Sequence, residues 1–246
     1  MVIMKYLVFD IETVPLAFDS FSESQQEYIL RGTSNEEEEA KKKGEMGLAP
    51  LTAQVVCIGI QLIERNEKGE YNILKHGAIS VDNSMNDGDE RKELLTDQTP
   101  CFFYNEKTAL EKFWKLITKY EPLHLISFNG RAFDAPFLML RSALLGLRPS
   151  KNIMSGTKFN YPLHTDLIDE LTFYIPSYGY GATKRFNFDF YTRAFGLTSP
   201  KGEGIDGSKV PEFFADGRII EISEYCLRDV KATWELFLLW EKYLHF

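Results

Sequence analysis

The chain has 246 residues, 44% of them hydrophobic and 14% aromatic, which is enough apolar material for one well-buried core and too much for a disordered chain. Its formal charge of -8, from 36 acidic and 28 basic residues, argues against the broad basic surface with which proteins clamp duplex nucleic acid. No apolar run approaches the roughly 18 residues of a membrane span, and the short apolar N-terminus lacks the length and cleavage site of a signal peptide, so one soluble, cytoplasmic domain over residues 1–246 is expected.

Residues 5–12 are apolar up to Asp10 and predict a strand buried on both faces. A charged surface insertion follows at about 31–47, where Glu36 to Glu39 precede Lys41 to Lys43. Its i,i+4 pairs, each worth roughly 0.2–0.5 kcal/mol, support a short solvent-facing helix, either a plain surface insertion or a flap over a ligand. Residues 54–63 and 71–78 predict two more strands, antiparallel because only the charged turn Asn66-Glu67-Lys68-Gly69 separates them. Residues 82–100, dense in Asp, Asn and Gly, predict a polar loop.

Leu110, Phe113, Trp114 and Ile117 recur at helical spacing within 106–120. A short strand at 125–128, a helix from Pro136 to about Leu145 closed by Gly146, and a helix over 166–173 come next. Residues 176–185 read as a Gly- and Tyr-rich loop, 187–195 as a short helix, 200–207 as a glycine-dense loop and 219–243 as a long closing helix. Strands first, then helices alternating with short strands, predict an α/β fold with a mixed central sheet flanked by helices.

Three places carry chemistry. Asp10 and Glu12, two apart on a strand, leave the same face, and placing two carboxylates side by side there costs repulsion and desolvation that a divalent cation offsets. Asp134 follows the turn Asn129-Gly130 at the start of a helix, as a helix cap or as a ligand. Tyr225 and Asp229 are i,i+4 on the last helix, beside its buried stripe, where an Asp needs its charge compensated. The four histidines and three scattered cysteines give no tetrahedral zinc signature.

Phe-Asp-Ile-Glu-Thr at 9–13, Asn-Gly-x-x-Phe-Asp at 129–134 and Tyr-x-x-x-Asp at 225–229, in this order, resemble the three exonuclease motifs of the DnaQ-like, RNase H-fold superfamily of 3'-5' exonucleases. The tyrosine form of the third motif, with the text at 200–210 and 225–230, resembles the predicted exonucleases related to the proofreading domain of family B DNA polymerases.

The resemblance implies an RNase H-like fold and metal-dependent 3'-5' hydrolysis of single-stranded DNA, or RNA, to nucleoside 5'-monophosphates. It implies two divalent cations, Mg²⁺ or Mn²⁺, with Asp10 bridging both, Glu12 and Asp229 completing one site, and Asp134 holding the other directly or through water. Tyr225 would orient the attacking water. Phe128, Asn129 and Phe133 would meet the terminal sugar and base. Ile11 and Thr13 would touch the last base or offer a backbone donor, although Ile11 reads equally as a plain strand residue. Asp166 would support the metal site from behind, or cap a helix. The loop around Tyr178 to Phe186 has the aromatics and basic residues of a strand-tracking surface, and Lys201 and Lys209 are candidate phosphate contacts. The implied partners are the 3' end of a single strand and a polymerase or repair protein. The rival reading is a catalytically weak nucleic-acid-binding accessory domain of a polymerase or repair complex.

Overall fold

Alternation along the first strand sets the layers of the protein. The computed structural model describes residues 4–157, 159–199 and 204–245. In β1 (Met4–Pro15), Leu7, Phe9 and Ile11 join one apolar cluster, whereas Tyr6 and Val8 join another on the opposite face, as the two-residue period of a strand requires.

β1 pairs antiparallel with β2 (Ala53–Arg65), and β2 antiparallel with β3 (Tyr71–Val81). Beyond β3 lie β5 (Pro100–Tyr104), parallel to it, and the edge strand β4 (Arg91–Leu94). On the other side, β6 (Leu123–Ser127) runs parallel to β1 and β7 (His164–Asp166) parallel to β6. The order β4-β5-β3-β2-β1-β6-β7 is therefore a mixed sheet, as expected for an RNase H-like α/β fold.

One face is covered by α3 (Glu106–Lys119) and α4 (Asp134–Leu144), whose Phe113, Ile117, Phe137 and Leu138 pack on Leu7, Phe9 and Ile11. A buried ion pair fixes the two helices. Arg141 of α4 donates through Nε and Nη2 to Glu106 of α3 at 2.7 and 2.9 Å, and Glu106 Oε1 also accepts the Val55 N–H at 2.8 Å. Two helices and β2 are thus held by one carboxylate, with its lone pairs satisfied as a buried charge demands. The other face is covered by α8 (Ile219–Tyr243), which lays Val230, Trp234, Phe237 and Trp240 on Tyr6 and Val8, and Ile222, Tyr225 and Cys226 on Val14, Val56 and Cys57.

Two short helices, α1 (Glu23–Ile29) and α2 (Glu36–Glu45), lie between β1 and β2. α2 is the expected charged helix, capped by Asn35, whose side chain accepts the Glu38 N–H. An ion pair it makes is Lys42 to Glu45, at i,i+3 spacing. The insertion ends in a tight turn, Met46–Leu48, where Met46 is buried and Gly47 packs against Pro15. α5 (Leu167–Leu171) and α6 (Phe188–Ala194) fall where helices were expected, whereas α7 (Val210–Ala215) was not anticipated.

The polar loop expected over 82–100 is corrected by β4, which lies within it, and by β5, which begins at Pro100. Every residue of β4 is solvent-exposed, so it lacks the alternation that marks a half-buried strand. Among the described residues, no helix is long and apolar enough to cross a membrane.

Candidate metal centre

The site is built where β1, α4 and α8 converge. Asp10 pairs with Gly59 of β2 and Glu12 with Cys57, and a bulge follows between Glu12 and Thr13. Val14, two residues on from Glu12, packs against the α8 residues Tyr225 and Cys226, so the even-numbered side chains of β1 face that helix. Ligand atoms of Asp10, Glu12 and Cys226 all lie within 4.8 Å of one another.

Gly59 makes this approach possible. A Cβ there would stand 2.9 Å from both Cys226 Sγ and Val230 Cγ2, so any side chain would push α8 off the sheet. With glycine in place, the Cys226 thiol reaches Asp10, 3.5 Å from its carbonyl oxygen and 3.6 Å from Oδ2.

Asp134 joins the cluster through the backbone between the two β1 carboxylates. The Ile11 N–H donates to Asp134 Oδ1 at 2.9 Å, so the second motif is bonded directly to the first. The same geometry excludes the helix-cap reading. Asp134 is the first residue of α4 and Phe133 is its cap, without a side-chain bond, so the carboxylate is not the helix cap.

The turn before Asp134 is also specific. Asn129 takes the left-handed conformation, φ 64°, which asparagine tolerates. Gly130 is needed for room, because a Cβ there would lie 2.4 Å from Ser127 Oγ. Asp166, buried at the end of β7, accepts the N–H groups of Asn129 at 2.6 Å and Arg131 at 2.8 Å, holding this turn in place. It makes no side-chain cap bond to α5, and its carboxylate is spent on this turn. Ser127 Oγ and His164 Nε2, 2.7 Å apart and buried, pack underneath.

Electrostatics bring Asp229 into the group. Burial, then the negative charges of Asp134, Asp229 and Glu12, hold the Asp10 carboxyl well above the usual aspartate range. Burial and Asp229 do the same to Glu12. Asp134 is pushed up to about 7, chiefly by burial and against the opposing Ile11 hydrogen bond. Asp166 is pushed up to about 6 by burial. The Tyr225 hydroxyl is raised by burial and by Asp229, to which it hydrogen-bonds, so it stays protonated throughout the physiological range.

Four carboxylates that repel one another, two of them buried and two half-buried, fit a divalent cation, and their hard oxygen donors suit Mg²⁺ or Mn²⁺. Cys226 was not anticipated as a neighbour of the carboxylates. The available signal was its i,i+3 spacing to Asp229, which places both on one face of α8.

Ile11 is buried in the core, with its N–H committed to Asp134. Thr13 donates its hydroxyl to Gly47 O at 2.7 Å, tying the insertion to the rim of the site. Phe128 is half-buried, its ring 4.6 Å from that of Phe188 and 5.5 Å from that of Tyr191, and Phe133 packs on Phe137 at 5.5 Å. Lys209 donates to Gly204 O at 2.9 Å, and Lys201 lies outside the described residues, as do residues 200–203 of the glycine-dense loop.

The chain is similar to known DNA polymerases over part of their length. The chain is 26% identical over 147 residues to a DNA polymerase of Pyrococcus glycovorans, covering 54% of this chain and 18% of the polymerase. It is 25% identical over 202 residues to DNA polymerase 1 of Sulfolobus acidocaldarius, covering 76% of this chain and 20% of that one. It thus spans about a fifth of the length of these relatives. The family B DNA polymerase of the hyperthermophilic archaeon Pyrobaculum calidifontis shares the fold, with a TM-score of 0.55 at 17% identity over 96% of this chain and 24% of the polymerase. The family described as "Predicted 3'-5' exonuclease related to the exonuclease domain of PolB" matches residues 72–245, and the chain belongs to it, with the DnaQ-like, RNase H-like fold of such exonuclease domains.

Proposed function

We propose that the protein is a metal-dependent 3'-5' exonuclease that hydrolyses single-stranded DNA, with RNA as the variant substrate, to nucleoside 5'-monophosphates. The observation that carries this reading is the convergence of Asp10, Glu12, Asp134 and Asp229 from three elements into one cluster, Glu12 and Asp134 buried and Asp10 and Asp229 half-buried, beside the Tyr225 hydroxyl.

Asp10, Glu12 and Asp229 would hold one cation, and Asp10 with Asp134, directly or through water, the other. The chemistry supplied by a bound pair of Mg²⁺ or Mn²⁺ ions is acidification of the attacking water and uptake of charge on the leaving 3' oxygen. Tyr225 positions the water through its hydroxyl. Its raised pKa makes it a poor base, so it orients a proton and does not remove one. Asp166 acts one step back, through the Asn129 and Arg131 N–H groups that set the second motif. Thr13, Phe128, Asn129 and Phe133 would frame the terminal nucleotide, whereas Ile11, buried and with its N–H on Asp134, acts only by fixing that carboxylate.

The test is a digestion time course on a 5'-labelled single strand with Mg²⁺ or Mn²⁺, resolved to single nucleotides. A ladder descending from full length and silenced by chelator is expected. An intact strand in the presence of folded, metal-loaded protein would favour an accessory binding domain, and cleavage of a circular strand would mark an endonuclease.

A further inference from the structure

The segment after α5 gathers six large exposed side chains, Phe173, Ile175, Tyr178, Tyr180, Phe186 and Phe190, within 18 residues of sequence, with Tyr178 at 81% and Tyr180 at 94% exposure. Isolated exposed apolar residues need no explanation, but a concentration of them next to a catalytic site marks an interaction surface.

This surface is built, not frayed. Phe173 and Tyr174 turn the chain out of α5 in the left-handed conformation, φ 51° and 57°, which bulky residues rarely adopt. Tyr174 is held by its hydroxyl on Glu170 Oε1 at 2.5 Å. The tip is clipped shut where Ser177 N–H donates to Thr183 O at 3.0 Å and Arg185 N–H to Ser177 O at 3.1 Å. Asp169 anchors its base, pairing with Arg185 and accepting the Tyr161 hydroxyl at 2.9 Å. The Arg131 guanidinium in turn lies 3.8 Å from the Tyr161 ring centroid, so the loop is braced against the segment that carries Asn129 and Asp134.

We propose that this loop is the track for the single strand behind its 3' end, gripping successive bases by stacking; the proposal rests on the exonuclease reading above. Phe128, next to the second motif, packs on Phe188 and Tyr191 of α6, the helix that also carries the exposed Phe190, whose ring lies 4.9 Å from that of Phe186. The occupant follows from charge and shape. A molecule of net charge -8 gains little from clamping phosphates, whereas every base has a neutral face that stacks on an aromatic ring. Lys184, 4.7 Å from the Phe186 ring centroid, adds an interleaved cation suited to a polyanion. A duplex hides its base faces, so the track selects single strands.

The experiment uses the full chain carrying Tyr178→Ala with Tyr180→Ala, both far from the carboxylates in sequence and fully solvated. With Mn²⁺, KM for a 12-nucleotide strand should rise about tenfold or more, while kcat and the hydrolysis of a trinucleotide stay at wild-type values. Tyr178→Trp with Tyr180→Trp should restore KM. Salt dependence separates stacking from charge: the tyrosine variant keeps the wild-type slope, whereas Lys184→Ala lowers it by about 0.7. Unchanged KM on the long strand, or an equal loss on both lengths, overturns the track. If wild type hydrolyses nothing, the exonuclease reading fails by itself. Anisotropy of the labelled 12-mer then decides the track alone: weaker binding in the alanine variant upholds it, and equal binding or none in both proteins refutes it.

Discussion

Asp134→Asn separates a ligand carboxylate from a structural one, because the two roles predict opposite signs. In the metal-free protein the Asp134 carboxyl is raised from the ordinary 3.8 to about 7, chiefly by burial. Between those values the native state holds a proton that the unfolded chain has lost. Native stability therefore falls as pH rises through this window, and the loss is complete above it. Integrated at 1.36 kcal/mol per unit, the carboxyl costs about 1.7 kcal/mol at about pH 5 and about 4 kcal/mol at about pH 8.

Asparagine keeps an oxygen to accept the Ile11 N–H and has nothing to ionise. Its amide N–H₂ brings a desolvation cost of about 1–3 kcal/mol that does not change with pH. The stability difference between variant and wild type should therefore move in the variant's favour by about 2–3 kcal/mol from about pH 5 to about pH 8. Urea unfolding followed by tryptophan fluorescence, in chelator, reads this swing, and metal-dependent turnover should be lost in the same variant. A difference that is flat with pH, or a uniform loss of about 0.5–2 kcal/mol like that of a removed cap, would refute the reasoning.

Asp10→Ala and Asp229→Ala should each keep the wild-type circular dichroism spectrum and lose more than about a hundredfold in turnover, since both groups are assigned to metal; turnover equal to wild type in Asp10→Ala would sink the site assignment. Tyr225→Phe should retain metal affinity by calorimetry and lower kcat about tenfold, less than either aspartate variant. Gly59→Ala should cost about 1–3 kcal/mol in unfolding experiments, because its Cβ meets Cys226 and Val230 at 2.9 Å; a change within about 0.5 kcal/mol would mean that α8 yields freely. Arg141→Ala leaves Glu106 buried without its cation and should cost about 3–5 kcal/mol, with denaturant midpoint as the readout.

What could be read in the sequence was what local pattern encodes. The apolar run before Asp10, the turn at 66–69 and the stripe through 219–243 each have one physical solution, and β1, the β2–β3 hairpin and α8 lie where those patterns put them. β4 was illegible because Arg-Lys-Glu-Leu, exposed throughout, is held as a strand by its pairing with β5 and not by any face of its own. The same limit applied to the site. A carboxylate at a helix start looks alike whether it caps the helix or accepts a bond from residue 11, and the deciding partner of Asp134 is 123 residues away. Cys226 was hidden for a related reason. Its closeness to Asp10 depends on Gly59 standing opposite Asp10 across the β1–β2 ladder, a register that no spacing along the chain reveals.

A net charge of -8 and a polyanionic substrate conflict only if affinity and catalysis draw on the same force. Here they are separated in space. Around Asp10 the neighbouring charges are carboxylates, and on the proposed reading their mutual repulsion would favour a small divalent cation there. Each bound cation reverses the local sign, so a phosphate is repelled by the metal-free site and attracted by the loaded one. On the proposed reading, engagement of the scissile phosphate at the carboxylates is thereby conditional on metal. The exposed aromatics beyond α5 carry no charge to oppose a strand, and in the proposed track their contribution to affinity would not depend on the metal. An acidic protein can in this way hold a nucleic acid through its bases while reserving its carboxylates for the cations that cleave the backbone.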